Sequence, residues 1–312
     1  MTELILHHYP ESPFSEKVRA ILGAKGLAWR SLQVSMVMPR PATTALTGGY
    51  RRIPVLQVGA DVYCDTALLA AYLDGAAGLG GSGPTLFPAS NLLAAQTLAR
   101  WVDTELFWAA VTLRFLPENM GSFFADPAAA QAFAEDRANF AAGAQVRRPP
   151  VDEAQARYAR FLAEMDTQLG DGRPYLFGAD WSIADFAVYH MLWFIHAGGG
   201  MADWLTRTLQ VRAWMDRMRA FGQHPGEAIT AADALTIASE ANPLTIEQMS
   251  DIPGILPGTT VDVAPVDYGV MPSRGTLLRC DTQTIVIRRE HALTGAVNVH
   301  FPRHGFGVAA SG

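Results

Sequence analysis

The chain has 312 residues, long for a single core and suited to two or three units that each bury an apolar centre. With 17% charged and 49% apolar residues it reads as globular rather than disordered, and a net charge of −6 without a basic stripe argues against a nucleic-acid or anionic-membrane surface. The two cysteines, Cys64 and Cys280, lie far apart with no CxxC spacing, which fits a reducing compartment and excludes a disulfide framework or a cysteine zinc site.

Met1 is followed by Thr-Glu and then by a strand, without the basic segment and long apolar core of a secretory leader, so a cytoplasmic protein is expected. Residues 4–8 are predicted as a strand, and residues 13–25 as a helix in which Phe14, Val18, Ile21 and Leu22 recur at spacings of three and four. Strand-like alternation returns at 29–34, and 36–49 is expected to be irregular, with Pro39 and Pro41 arguing against regular structure in its first half. Strands follow at 55–58 and 62–63, then a helix at 66–73. The order β-α-β-loop-β-β-α is that of a thioredoxin-like domain, in which the segment before Pro54 must connect two pairs of strands through a helix or a long loop.

Residues 75–90 are rich in glycine and proline and read as a linker. Beyond it, helical periodicity at 92–115, 128–141, 152–169, 182–197 and 211–221 predicts an all-α second domain. The longest apolar stretch, 186–197, is interrupted by His190 and His196 and is too short to span a bilayer. After Pro225 the composition shifts. A further helix candidate covers 227–241, and alternating segments at 260–263, 276–280, 284–289 and 296–301 predict a small antiparallel sheet or barrel. The expected boundaries are 1–78, 91–222 and 226–312. His291, His300 and His304 lack a carboxylate or cysteine partner at a metal spacing, so no zinc site is expected.

Residues 9–19 read YPESPFSEKVR, so a short strand delivers Ser12 to the first turn of a helix. Ser followed by Pro is an ordinary way to start any helix. Capping and catalysis need not compete, however. A thiol held there gains about 0.3 to 1 kcal/mol from the helix field and about 1.5 to 3 kcal/mol from a hydrogen bond to an ion, enough to lower its pKa by roughly one to three units. Asp65-Thr66 stands at another helix start, where a carboxylate can accept from an ammonium group while Thr66 and the helix N–H groups bind an anion. A plain helix cap is the alternative reading there.

With Ile53-Pro54, Asp65-Thr66 and the Ser182 to Asp185 helix start, the SPFSEKVR string makes residues 1–222 resemble the glutathione S-transferase family, in its serine-type bacterial branch. That resemblance implies a thioredoxin-like glutathione-binding domain and an all-helical domain, followed here by a β-rich extension outside the family pattern. It implies Ser12 as the catalytic hydroxyl donating to the glutathione sulfur, with Tyr9 as a backup donor. Glutathione, as cosubstrate, would be bound by Phe14, by the main chain at Ile53 ahead of a cis Pro54, and by Asp65 and Thr66. Its glycyl carboxylate needs a cation, for which Arg40, Arg51, Arg52 and His8 are candidates, with Arg52 taken as the ligand. The absence of cysteine at position 12 argues against mixed-disulfide chemistry. The expected partners are glutathione and a small hydrophobic electrophile, in a detoxifying homodimer with no metal, nucleic acid or membrane. The alternative is a non-catalytic glutathione-binding or protein-interaction module of the same fold.

Overall fold

A computed structural model describes residues 3–75, 81–120, 123–124, 126–197 and 202–311. The first unit runs β1 (Ile5–His8), α1 (Pro13–Ala24), β2 (Arg30–Gln33), α2 (Pro41–Thr47), β3 (Val55–Val58), β4 (Asp61–Cys64) and α3 (Thr66–Asp74). β1 pairs in parallel with β2 and antiparallel with β3, and β3 pairs antiparallel with β4, completing the expected thioredoxin-like order. The segment expected to be irregular contains α2. Pro41 occupies its first turn, where the missing N–H leaves no bond unmade, and Gly48 closes it in the left-handed region (φ 79°) with its N–H on Thr44 O at 2.8 Å. Proline there starts a helix instead of preventing one. The linker is irregular over residues 81–90; its residues 76–80 lie outside the described ones.

The helical unit comprises α4 (Leu92–Trp101), one π-helical turn (Val102–Leu106), α5 (Phe107–Arg114), α6 (Pro117–Met120), α7 (Pro127–Ala141), α8 (Val151–Leu169), α9 (Ile183–His196), α10 (Ala202–Thr206) and α11 (Leu209–Arg219). α9 is apolar on nearly every side and is the buried axis of this unit. Its start is fixed by a capping box in which Asp185 accepts from Ser182 N at 2.9 Å, and the same carboxylate accepts from Leu176 N (2.9 Å) and Trp214 Nε1 (3.1 Å). Trp181 packs edge-on against Phe186, with ring centroids 6.3 Å apart, as the accompanying apolar contact. This motif holds the fold and touches no cavity chemistry.

The last segment adds α12 (Ala231–Glu240) and strands β5 (Met249–Ser250), β6 (Thr260–Pro265), β7 (Ser273–Cys280), β8 (Thr284–His291), β9 (Gly295–Pro302) and β10 (Phe306–Ala310). β6 to β9 form an antiparallel meander, β10 folds back on β6, and β5 runs parallel to β7. These strands do not stand alone: β9 pairs in parallel with β4, Val62 opposite Val299, so one sheet runs β10-β6-β7-β8-β9-β4-β3-β1-β2. An open β4 edge would present unpaired N–H and C=O groups, and β9 covers it. Residues from both sides, including Val55, Val62 and Cys64 with Val261, Leu277, Phe301 and Phe306, share one apolar cluster. Among the described residues, no helix is long and apolar enough to cross a membrane, and no group of three or more His, Cys, Asp or Glu could hold a metal ion.

Asp61 locks the junction. Its buried carboxylate lies 2.7 Å from His300 Nε2 and accepts from Asn298 Nδ2 (3.1 Å) and Leu244 N (2.8 Å), all contributed by the extension. Asp61→Ala removes the shared acceptor of three bonds, two of them from the buried Asn298 and His300, and is expected to cost about 3 kcal/mol. The denaturation midpoint measures this, and a loss below the range of an ordinary surface substitution would contradict the lock.

Burial also lowers the pKa of His7 to about 4, against an opposing bond between its Nε2 and Gln57 Oε1 (2.9 Å), and that of His8 to about 4, where Arg19 adds to the burial. Between pH 6.5 and 4 the unfolded chain therefore binds more protons at these positions than the folded one. Stability is full above pH 6.5 and falls as the pH drops toward 4, by up to about 3 kcal/mol for His7. Urea unfolding across this window checks the slope, which His7→Gln is expected to reduce.

Candidate functional site

The N-termini of α1 and α3 converge on a cavity of about 910 Å³ between the first unit and the helices. Ser12, Phe14, Arg52, Ile53, Pro54, Asp65 and Thr66 all line it, so residues scattered over more than fifty positions share one wall. Tyr9 and the aromatic side chains of Phe107, Trp108 and Phe115 line it too.

Ser12 is the N-cap of α1, and its Oγ accepts from Ser15 N at 3.2 Å. That bond uses a lone pair and leaves the hydroxyl proton free to be donated. Pro13 has no N–H, and Glu16 N bonds to Ser12 O at 3.0 Å. Among the described residues, the Phe14 N–H is thus the first-turn donor left for a ligand. The helix end and one hydroxyl can stabilise an anion without a basic side chain.

The Ile53-Pro54 peptide bond is cis. Pro54 leads directly into β3, while the main-chain N–H and C=O of Ile53 have no partner among the described residues. They offer an extended ligand one donor and one acceptor. Asp65 caps α3 with a φ of 75°, and its Oδ1 accepts from Ala67 N at 3.0 Å. Such a φ is uncommon for a residue with a side chain, and Asp65 lines the cavity at the helix start.

The cations are differently engaged from the sequence expectation. Arg52 reaches the cavity, but its guanidinium is bonded to the Asp267 carboxylate and to Tyr268 O (2.6 Å), with Asp65 Oδ2 at 3.6 Å. Arg40 donates to Ser35 O (2.6 Å), Arg51 O (2.8 Å) and Met36 O (2.7 Å). Arg51 bonds to Asp136 at 2.7 Å, and Arg137 bonds to the same carboxylate at 2.5 Å. His8 is held neutral by burial and does not line the cavity, so it is not a glycyl-end cation.

Two sets of lining residues escaped the sequence reading. Lys17, 1% exposed, bonds to Asp103 at 2.6 Å and donates to Thr66 Oγ1 at 3.5 Å, which places a positive charge beside the α3 start. Burial raises the Asp103 pKa, and Lys17 opposes the rise. A lysine on the apolar Phe14-Ile21 face of α1 was the available signal. Asp267 and Tyr268 gave none, because only pairing between distant strands brings them here.

The family models for the N-terminal and C-terminal domains of glutathione S-transferases match residues 6–83 and 127–217. A GST-like protein from Pseudomonas syringae is 38% identical over 100% of both chains and superposes with a TM-score of 0.82, so the likeness includes the terminal strands. The beta-etherase LigF from Sphingobium sp. strain SYK-6 (19% identity, 72% of this chain and 97% of that one, TM-score 0.51) and FzlA from C. crescentus (19%, 81% and 95%, 0.51) share the fold alone. No curated protein sequence matches the chain. With both domain models matched and a full-length relative at that identity, the chain belongs to the glutathione S-transferase family.

Proposed function

We propose that this chain is a glutathione-dependent transferase in which Ser12 activates the bound thiol. The observation that carries this reading is the convergence, on one cavity, of a hydroxyl with a free proton at Ser12, unpartnered main-chain groups at Ile53 and a second helix start at Asp65-Thr66. Those groups suit, in order, the sulfur, the cysteinyl main chain and the γ-glutamyl end of the tripeptide. Lys17 adds positive charge for the γ-glutamyl carboxylate, while Asp65 accepts from its ammonium group.

The thiol proton is lost to solvent, and Ser12 then donates to the resulting thiolate within the field of α1. The sulfur attacks an electrophilic carbon, a thioether bond forms, and the leaving group departs with its electron pair. A nucleophile of lowered pKa held beside its target supplies the acceleration. The aromatic wall of Phe107, Trp108 and Phe115 favours a small hydrophobic electrophile. By analogy with its family, the chain is taken to act as a cytoplasmic homodimer.

Ser12→Ala is expected to lower kcat by about one to two orders of magnitude, because a hydrogen bond to an ion is worth about 1.5 to 3 kcal/mol. The pKa in its kcat/KM profile should rise by about one to two units, with glutathione affinity nearly unchanged. Asp65→Ala should do the reverse, weakening binding while sparing kcat. Steady-state kinetics with an aryl halide, beside calorimetric titration of glutathione, separates the two. Equal effects of both substitutions on both quantities would contradict the division, and binding without turnover across a varied electrophile panel would favour a glutathione-binding module.

Thiol-disulfide exchange would need a reactive cysteine. Burial raises the Cys64 thiol pKa well above its ordinary value, with Asp65 adding to the effect, and raises that of Cys280 to about 11. Both side chains are buried. Iodoacetamide at pH 8 is therefore expected to leave both thiols unmodified in the folded protein and to label both after unfolding, as read by intact mass. Rapid labelling of Cys64 in the native state would reopen the exchange chemistry.

A further inference from the structure

Arg147 and Arg148 are consecutive in the connection between α7 and α8 and meet different partners. Arg147 lies on the outside, 70% exposed, and donates through both Nη atoms to the Glu153 carboxylate at 2.9 and 2.6 Å. Arg148 lines the cavity instead, its guanidinium 5.1 Å from the centroid of the Trp108 ring. Among the described residues it makes no hydrogen bond or ion pair, and partial burial lowers its pKa with no carboxylate to oppose the shift. An arginine keeps its charge under such a shift. The connection is pinned on both sides of this residue: Gln145 N donates to Asp267 O (2.7 Å) in the turn between β6 and β7, and Pro149 O accepts from Thr112 Oγ1 (3.1 Å) on α5. Tyr268 of the same turn packs edge-on against Trp108, with centroids 5.2 Å apart. Arg148 is therefore a placed charge on the aromatic wall.

Its position along that wall decides what meets it. From the start of α1 a row of rings runs in contact: Phe14 lies 5.0 Å from Phe107, Phe107 lies 4.9 Å from Trp108, and Trp108 carries the Arg148 guanidinium. Arg148 thus ends a row that begins two residues from Ser12, and it stands on the helical unit, whereas Ile53, Asp65 and Thr66 belong to the first unit. The other cations of the cavity are placed differently. Lys17, Arg51, Arg52 and Arg137 have carboxylate partners, and Arg40 donates to main-chain carbonyls. Arg100 shares the surroundings of His304 with Asp65: burial and then Arg100 lower the His304 pKa, and Asp65 opposes them, so Arg100 belongs to the γ-glutamyl corner. Arg148 combines aromatic surface with a cation that no internal carboxylate neutralises.

We propose that the second substrate is an aromatic electrophile bearing a carboxylate, and that Arg148 is the specificity-determining residue that receives this carboxylate while the ring lies along Phe107 and Phe115. The inference rests on the transferase reading above and names its substrate class. The planar guanidinium offers a carboxylate two parallel N–H donors, and the partly desolvated setting strengthens the attraction relative to bulk water. The bond changes are those of an aromatic displacement: the thiolate sulfur bonds to the ring carbon that bears a halogen, and the halide departs with the electron pair of the broken bond.

The test compares a chlorodinitrobenzoate, with chlorine para to the carboxylate, and its methyl ester, which share ring and leaving group and differ in charge. The kcat/KM for each is divided by the rate constant of its uncatalysed reaction with glutathione, which removes the difference in intrinsic reactivity. In the wild-type chain the normalised ratio of carboxylate to ester is expected to be about ten or more, and in Arg148→Gln and Arg148→Met to fall to about one. Circular dichroism melting establishes that both variants fold. Turnover of both electrophiles without a wild-type preference for the carboxylate, or a preference that survives in the folded variants, overturns the inference and leaves the transferase reading standing. A glutathione Kd weakened more than about fivefold in the folded variants, read by calorimetry, assigns Arg148 to the tripeptide and overturns it as well. Wild-type turnover of other electrophiles but not of the benzoate also overturns it, whereas turnover of no electrophile overturns the transferase reading and this inference with it.

Discussion

The parallel pairing of β4 with β9 organises the molecule beyond its first sheet. β4 would otherwise be the edge of a four-stranded sheet, with a row of open N–H and C=O groups, and β9 supplies their partners along Asp61–Tyr63. Asp61 binds across the seam to three groups of the extension, and an apolar cluster forms on both sides of it. Because β9 is fixed against β4, the β6–β7 turn is carried to Arg52 and onto the aromatic residues of the helical unit. The added strands thereby become part of the cavity wall.

Within that cavity, anion stabilisation is divided between helix ends and side chains. The starts of α1 and α3 offer N–H groups and hydroxyls at Ser12 and Thr66, which need no counter-charge when empty. Four of the cations are paired instead, Lys17 with Asp103, Arg51 and Arg137 with Asp136, and Arg52 with Asp267, while Arg40 is bonded to carbonyls and Arg148 lies over the Trp108 ring. Burying such cations without partners would cost several kcal/mol each, on the order of the desolvation of a single ion, so internal carboxylates accompany them. The helix ends stand ready for a ligand, whereas the paired cations respond to one by exchange.

Much of the arrangement was legible because it is local. Ser12-Pro13 marks a helix start, Asp65-Thr66 marks another, and the periodicity of Phe14, Val18 and Ile21 orients α1, so the polar ends of both helices were identifiable. α2 lies in a connection that the sequence leaves open between a helix and a long loop, because Pro39 and Pro41 argue against regular structure in its first half while proline in a first turn is compatible with helix. The long 92–115 helix is interrupted at Val102–Leu106 by a π turn, the segment that bears Asp103, and no propensity distinguishes that turn from α-helix. Lys17 was passed over although it stands on an otherwise apolar face.

Chain chemistry alone determined the order of strands and of the two long helices in the first unit, the helical character of the second, the alternating strands of the third and the helix starts at Ser12 and Asp65, since all of these follow from spacings of two to four positions. Tertiary structure decided which strand the extension would join, which carboxylate each arginine would meet and whether the last segment would reach the cavity. Those outcomes depend on hydrogen bonds and ion pairs between residues about two hundred positions apart, such as Asp61 with His300 and Arg52 with Asp267. Local periodicity carries no information about a partner that distant, because any free strand edge or any carboxylate of the right reach would satisfy the same pattern.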